Sequence, residues 1–267
     1  MQGQTYVAEV ATDAGFTNIV FTSTASTATE VRLPPVLSND TTYFWRVRST
    51  NICGTGVDSA SFTFTTRPAA GQCPAGLSLI DGFRDTMDSG INGWTTDPVS
   101  GTTWNQSTAR PFSGTTSWLA VDVTTASDQR LISPAIALPV DLSSLLLRFK
   151  QDVTMEANGA TACYDGGFVE ISTNNGSTWA PIASTSVLED FYDGPLSGGE
   201  QAWCGTQPYT TASLDIDSFA GQSVRFRFRA ITDTSVGSVP HGWYVDDVAV
   251  VGCGIPVLLF KDGFEGP

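Results

Sequence analysis

Apolar and polar residues alternate along most of this chain at a period of two, in short runs broken by Gly, Asn, Asp, Ser and Pro. That is the signature of β-strands joined by turns. In Val224 to Ala230, VRFRFRA, the pattern sends Val224, Phe226, Phe228 and Ala230 to a core and Arg225, Arg227 and Arg229 outward. Leu145 to Lys150 repeats the arrangement, with Arg148 and Lys150 on the outer side. Gly242 to Cys253, GWYVDDVAVVGC, is apolar on both faces: Trp243, Val245, Asp247, Ala249 and Val251 point one way, Tyr244, Asp246, Val248 and Val250 the other. Such a run belongs inside a sheet covered on each side. Leu77 to Asp85, LSLIDGFRD, is its natural antiparallel partner, with Asp81 near Asp247. In Ser172 to Trp179, STNNGSTW, an Asn-Gly pair between two alternating runs predicts a tight hairpin. The same stretch fits the Asp-box pattern of sialidase-like enzymes, but a propeller needs several copies and this chain has one.

Composition agrees with an all-β protein. Thr, Ser, Gly, Val and aromatics are abundant while Lys, Glu and Leu are scarce, and 267 residues suffice for one large or two ordinary domains. Residues 1–68 contain β segments at Thr5 to Thr12, Ile19 to Thr24, Ala28 to Leu33, Thr41 to Asn51 and Ala60 to Thr66. In the fourth, TTYFWRVRSTN followed by ICG, the residues Tyr43, Trp45, Arg46, Val47, Asn51, Cys53 and Gly54 resemble the later strands of a bacterial fibronectin type III domain. The resemblance implies that the two opening strands of the sandwich should precede Tyr6, so residues 1–68 are expected to expose apolar surface and to fold poorly alone. Residues 69–76, AAGQCPAG, read as a linker. From 77 to 254 the punctuation is regular: DGFRD, the Gly93-Trp94 pair, Leu131 to Pro134 as LISP, and the closing GWYVDDV. Those motifs resemble the MAM-like, cleaved-adhesin jelly rolls of secreted bacterial proteins, in which an acidic residue follows the first Phe; here Arg84 stands there, with Asp85 next. The expected fold is thus all-β, a truncated fibronectin type III sandwich followed by an antiparallel jelly roll able to fold alone as residues 74–254. Residues 255–267 carry Asp262, Gly263 and Phe264 in a DGFE tail that echoes Asp81, Gly82 and Phe83.

Charge and cysteines narrow the setting. A net charge of -14, from 27 acidic and 13 basic residues, argues against nucleic acid or an anionic membrane as partner. No apolar run approaches the length of about 18 that spans a bilayer. Met1 leads straight into a strand-like run with no signal peptide, so an upstream part is expected. Five cysteines favour an oxidising compartment, hence a secreted or cell-surface bacterial protein. Cys163 and Cys204 bracket the hairpin and a long loop and are expected to pair. Cys73 would have to double back more than about 20 Å to reach Cys53. Pairing the first and last strands instead carries Cys73 to the neighbourhood of Cys253 and leaves Cys53 free.

Two adjacent carboxylates on a covered strand need a partner, and a bound cation is the commonest one. A structural calcium ion is therefore expected at Asp247 or Asp246 and Asp81 or Asp85, with Asp128 and carbonyls of Ser127 to Arg130. The competing account has one Asp in solvent and the other holding backbone amides or Arg84. Arg225, Arg227, Arg229, Arg148 and Lys150 form either a cross-strand ladder with acids such as Glu170 or a face for an anionic sugar or a partner's carboxylates. Catalysis finds little support: the sole histidine, His241, lies beside no nucleophile motif and reads as a loop residue. Glu156, Glu170, Glu189 and Asp190 suit glycosidase chemistry by type alone, and the Glu189-Asp190 pair reads as solvated loop. The expectation is a non-catalytic accessory module of a larger secreted bacterial hydrolase or protease, its catalytic domain upstream, binding a polysaccharide or a protein surface. A carbohydrate-binding module and a stand-alone glycosidase are the alternatives.

Overall fold

The computed structural model describes residues 4–31, 33 and 37–256, and these divide between two compact units, Met1–Ala69 and Ala70–Pro267. The DGFE tail lies outside the described residues.

In the first unit β1 (Thr5–Ala11), β2 (Ile19–Thr22), β3 (Thr42–Asn51), β4 (Gly54–Asp58) and β5 (Phe62–Thr65) make one antiparallel sheet in the order β2-β1-β3, with β4 and β5 both on β3. One face carries a charge network in which Glu9 and Asp58 each bind Arg46 and Arg48. The other face carries Tyr6, Ala8, Val10, Trp45, Val47 and Phe64 and opens into a cleft of about 690 Å³. Among the described residues of the first unit, only Val10, Ala11 and Tyr43 of the apolar side chains are fully buried. The strand expected at 28–33 does not form among the described residues: Ser26 makes a single bridge to Tyr6, and beyond it the backbone has no strand to pair with.

The second unit holds β6 (Ser78–Asp85), β7 (Thr95–Thr96), β8 (Asn105–Ser107), β9 (Ser117–Val121), β10 (Ser127–Ile132), β11 (Ile136–Ala137), β12 (Ser143–Met155), β13 (Gly166–Ser172), β14 (Ala180–Pro181), β15 (Val187–Glu189), β16 (Gly194–Pro195), β17 (Gln201–Ala202), β18 (Gly205–Asp215), β19 (Ser223–Thr232) and β20 (Gly242–Gly254). A six-stranded sheet runs β14-β13-β19-β10-β7, with β11 on β19; a seven-stranded sheet runs β15-β18-β12-β20-β9-β8, with β6 on β20. In chain order β9, β10, β12, β13, β18, β19 and β20 alternate between the two sheets, the winding of a jelly roll. Between the sheets lie Leu145, Leu147, Phe149 and Val153 of β12, Val224, Phe226, Phe228 and Ala230 of β19, and Trp94, Trp104, Trp203 and Trp243. Their rings meet edge to face, Phe149 on Phe228 at 5.0 Å and Trp104 on Trp243 at 5.3 Å. Each such side chain buried stabilises the fold by about 1.5–3 kcal/mol.

The strict alternation expected of the last strand does not survive. Arg148 pairs with Ala249 while Lys150 pairs with Asp246, so β20 spends three residues where β12 spends two, and Asp247 takes φ +48°. This bulge reverses the parity: Trp243 and Val245 point into the core, and after the extra residue Val248 and Val250 do so. The first strand does pair with the last, but Asp81 stands opposite Val251 rather than Asp247, and Asp85 opposite Val248. Cys73 nevertheless bonds Cys253, because the chain turns at Pro74 and Leu77 before entering β6. Cys163 bonds Cys204, and Cys53 is a free, exposed thiol. The expected linker is not loose: Ala70 packs on Leu146, Ala249 and Val251 on the outer side of the seven-stranded sheet. The Asn-Gly hairpin joins β13 to β14, with Asn175 and Gly176 both at positive φ.

Candidate functional site

The five carboxylates expected to share a calcium ion go to separate tasks. Asp81 is half exposed and accepts a fork of two hydrogen bonds from Arg84. Asp85 is buried and accepts from the Met87 amide, Asn92 Nδ2 and Trp94 Nε1. Asp128 stands on the outer face of the six-stranded sheet between Arg130 and Arg229. Asp246, fully buried, accepts the amides of Phe112 (2.8 Å), Ser113 (3.2 Å) and Asp247 (2.8 Å). Asp247 accepts the Ser113 hydroxyl. Protein donors thus fill the places a cation was expected to fill, and the bulge is what separates Asp246 from Asp247.

The five basic residues do not form one face either, because β19 and β12 belong to different sheets. On the six-stranded sheet Arg227 binds Glu170, Arg229 binds both Asp128 and Glu170, and Arg227 and Arg229 also lie over the rings of Trp179 and Phe168. Arg225 donates to Asn175 and to the Ser133 carbonyl. This is the cross-strand ladder, and it uses up the guanidinium groups. On the other sheet Arg148 binds Glu189 and Ser213. Glu189 and Asp190 are not merely solvated, since Asp190 accepts from Gln151 and from the Thr210 hydroxyl. Burial is what turns these loop acids inward, toward polar groups that need acceptors.

What Asp246 and Asp247 hold in place is the segment 108–116, which crosses the outer face of the seven-stranded sheet as a strap. Its far end is hooked by Asp88, which accepts the amides of Thr115 and Thr116. Gly114 makes that possible: its φ is +58°, and a Cβ there would lie 1.8 Å from Asp88 Oδ2. The near end is held by Tyr209, whose hydroxyl donates to the Arg110 carbonyl at 2.6 Å. The strap presents Phe112, 44% exposed, with its ring 5.4 Å from that of Tyr209. Lys150 reaches over the same ring at 4.4 Å while donating to Thr211. Beside them the Arg110 guanidinium donates to Asp152 at 2.7 Å and meets His241 Nδ1 at 3.1 Å, where the ring nitrogen must accept. Burial pushes the Asp152 carboxyl above the usual carboxylate range, and the Arg110 charge pulls against that. His241 is thus placed where a loop meets the strap. An aromatic pair with cations around it is a surface suited to stacking and hydrogen bonding.

A second gathering of acids, Glu156, Asp165 and Asp233 with Asp122 beside them, lies at the loop ends of the same unit. Of these, sequence reasoning singled out only Glu156. The other three each close an apolar strand run just before turn-forming residues, in AVDVTT, CYDGG and ITDTS, a weak signal that many surface turns share.

No known protein-family model matches the chain, and no curated protein matches it in sequence. Among solved structures it is similar to carbohydrate-binding modules of the β-sandwich superfamily, at 15% identity over 92% of this chain and 84% of that one, with a TM-score of 0.35. It is also similar to the C-terminal family 22 carbohydrate-binding module of Clostridium thermocellum Xyn10B, at 11% identity over 66% of this chain and 97% of that one, TM-score 0.34. A Streptomyces avermitilis α-L-rhamnosidase matches at 15% identity over 94% of this chain and 21% of that one, TM-score 0.24.

Proposed function

We propose that this protein is a non-catalytic accessory module of a secreted bacterial hydrolase or protease, and that its second unit, a MAM-like jelly roll, holds a neutral polysaccharide against the strap. The first unit is then a fibronectin type III-like spacer. The observation that carries this reading is the use made of the paired acids of β20: Asp246 and Asp247 fasten a segment whose exposed tip is the Phe112 ring, packed at a tilt against Tyr209. An aromatic ring held at the surface by buried bonds is preorganised, so a pyranose can lay its C–H face on it at little cost in ordering. Arg110, Lys150 and Thr211 around it can reach sugar hydroxyls. Neutral rather than acidic polymer fits because the chain's net charge is -14 and the arginines of the opposite face are already paired. Two disulfides suit an oxidising compartment, and among the described residues no helix is long and apolar enough to cross a membrane.

Retention of the full chain on insoluble neutral polysaccharides, such as xylan, cellulose and mannan, tests the reading. Phe112→Ala should abolish retention while costing only about 1 kcal/mol of stability, since Phe112 is already 44% exposed. Equal retention of the variant, or no retention of the native chain on any of the panel, would sink it.

A further inference from the structure

Four carboxylates meet where loops of the second unit converge. Asp122 follows β9, Glu156 and Asp165 bracket the loop from β12 to β13, and Asp233 follows β19. Carboxylate oxygens of Glu156, Asp165 and Asp233 lie within 4.8 Å of one another, and the Asp122 carboxyl faces that of Asp165 at hydrogen-bonding range.

Asp122 and Asp165 are fully buried at 0% exposure. Neither Asp122 oxygen receives a hydrogen bond, and neither does Asp165 Oδ2. Ser238 gives its amide to the Asp122 main-chain carbonyl, and its amide and hydroxyl lie near the carboxylate as weak donors, short of full hydrogen-bond geometry. Asp165 Oδ1 alone is used, by the Asp233 amide. The charges nearest Asp122 and Asp165 are those of other carboxylates, each other's and that of Asp233. A proton shared by the pair would join one oxygen of each and still leave the second Asp122 oxygen bare. Leaving such groups dry and unpaired is among the most costly arrangements a fold can hold. The surrounding loops are nonetheless drawn in tightly: a Cβ on Gly237 would come within 2.9 Å of the Asp122 carbonyl and the Thr124 amide.

We propose that Asp122, Asp165, Asp233 and Glu156 form the binding site of one hard divalent cation, calcium in particular. Every group offered is an oxygen, the ligand type such cations take. The donors come from separate loops with no octahedral frame, which suits calcium's flexible six- to eight-fold coordination better than magnesium's. Ser235, whose hydroxyl touches both Asp233 and Glu156, steadies the two partly exposed ligands. Bound there, the ion ties the loop 233–241 to the ends of β9 and β12, directly ahead of β20. The calcium expected from sequence at Asp246 and Asp247 is thereby moved to a cluster in which both Asp122 oxygens and Asp165 Oδ2 have no protein donor.

The test uses the full chain, stripped with chelator and exchanged into metal-free buffer. Calcium chloride at about 1 mM should raise the melting temperature by several degrees, because the ion binds the native state and not the unfolded one. Titration calorimetry should give one calcium per chain. Asp122→Asn and Asp165→Asn should weaken that binding by about tenfold or more, while melting in chelator no lower than the native chain, since each removes a like charge from an empty site. Glu156→Gln, at a partly exposed ligand, gives the same comparison if either buried variant fails to fold. Asp246→Asn should keep the full calcium shift. Identical melts of the native chain in chelator and in calcium, or a calcium shift undiminished in the Asp122, Asp165 and Glu156 variants, would overturn the proposal.

Discussion

Asp246 and Asp122 are both fully buried aspartates on or next to neighbouring strands, β20 and β9, of one sheet. Asp246 accepts three backbone amides; Asp122 accepts nothing. The difference teaches that the role of a buried carboxylate is set by the donors around it, not by how conspicuous it is in the sequence. Where the chain supplies N–H groups, the acid is a fastener that organises backbone. Where it supplies none, the acid waits for a ligand of opposite charge. Asp85 and Asp128 stand with Asp246, and Asp165, with one oxygen served and the other bare, stands nearer Asp122.

The comparison breaks most visibly at Asp85. Its two oxygens serve the Met87 amide and Trp94 Nε1, both buried, as well as Asn92. Asp85→Ala strands at least two buried donors, each at a cost of about 1–3 kcal/mol. A loss of about 3 kcal/mol or more is expected in denaturant melts, equal in chelator and in calcium. A loss that calcium restores would place Asp85 with the ligand-binding acids instead.

The next largest effect falls on Asp246. Asp246→Asn keeps one acceptor oxygen but aims an NH₂ at amides, so about 2 kcal/mol should be lost. Proteolysis within 108–116 should accelerate in the variant, and polysaccharide retention should fall with it, because the strap is unhooked while Phe112 is unchanged. Burial raises the native Asp246 carboxyl above its unfolded value, with the amides of Ser113, Phe112 and Asp247 opposing. A raised group contributes stability that is present below its unfolded pKa of about 3.9 and lost as pH rises through the native value. The stability margin of the native chain over Asp246→Asn should therefore widen on mild acidification.

Much of this was legible in the sequence. Phe226 and Phe228 face in and the arginines between them face out, as period-two alternation demands, and the arginine ladder follows once Glu170 and Asp128 stand alongside. The turn at Asn175-Gly176 was visible because few other residue pairs tolerate positive φ twice in succession. The bulge at Asp247 was not, since one inserted residue leaves no trace in composition yet reverses every side chain beyond it. The strap escaped because its bonds run from side chains to backbone across the fold and follow no period. The Asp122, Asp165 and Asp233 cluster escaped because jelly-roll winding joins strand ends far apart in the chain.

Asp128 marks the mild end of the comparison, an acid with partners but near the surface. Burial alone would raise its carboxyl, but hydrogen bonds from Arg229 and Arg130, with their charges, outweigh that and hold it below the usual carboxylate range. A lowered group contributes stability that is present above the unfolded pKa of about 3.9 and lost as pH falls through the native value. Asp128→Asn should therefore cost about 1 kcal/mol at neutral pH, where Arg229 keeps a longer contact of 3.6 Å with Glu170. The gap between variant and native chain should close as pH drops below about 4. That is opposite in sign to the trend at Asp246, where the native carboxyl lies above the unfolded value. Melts of the two variants beside the native chain from pH 7 to pH 3 in chelator separate the cases. A gap at Asp128 that widens with acid would mean that the arginines no longer govern that carboxylate.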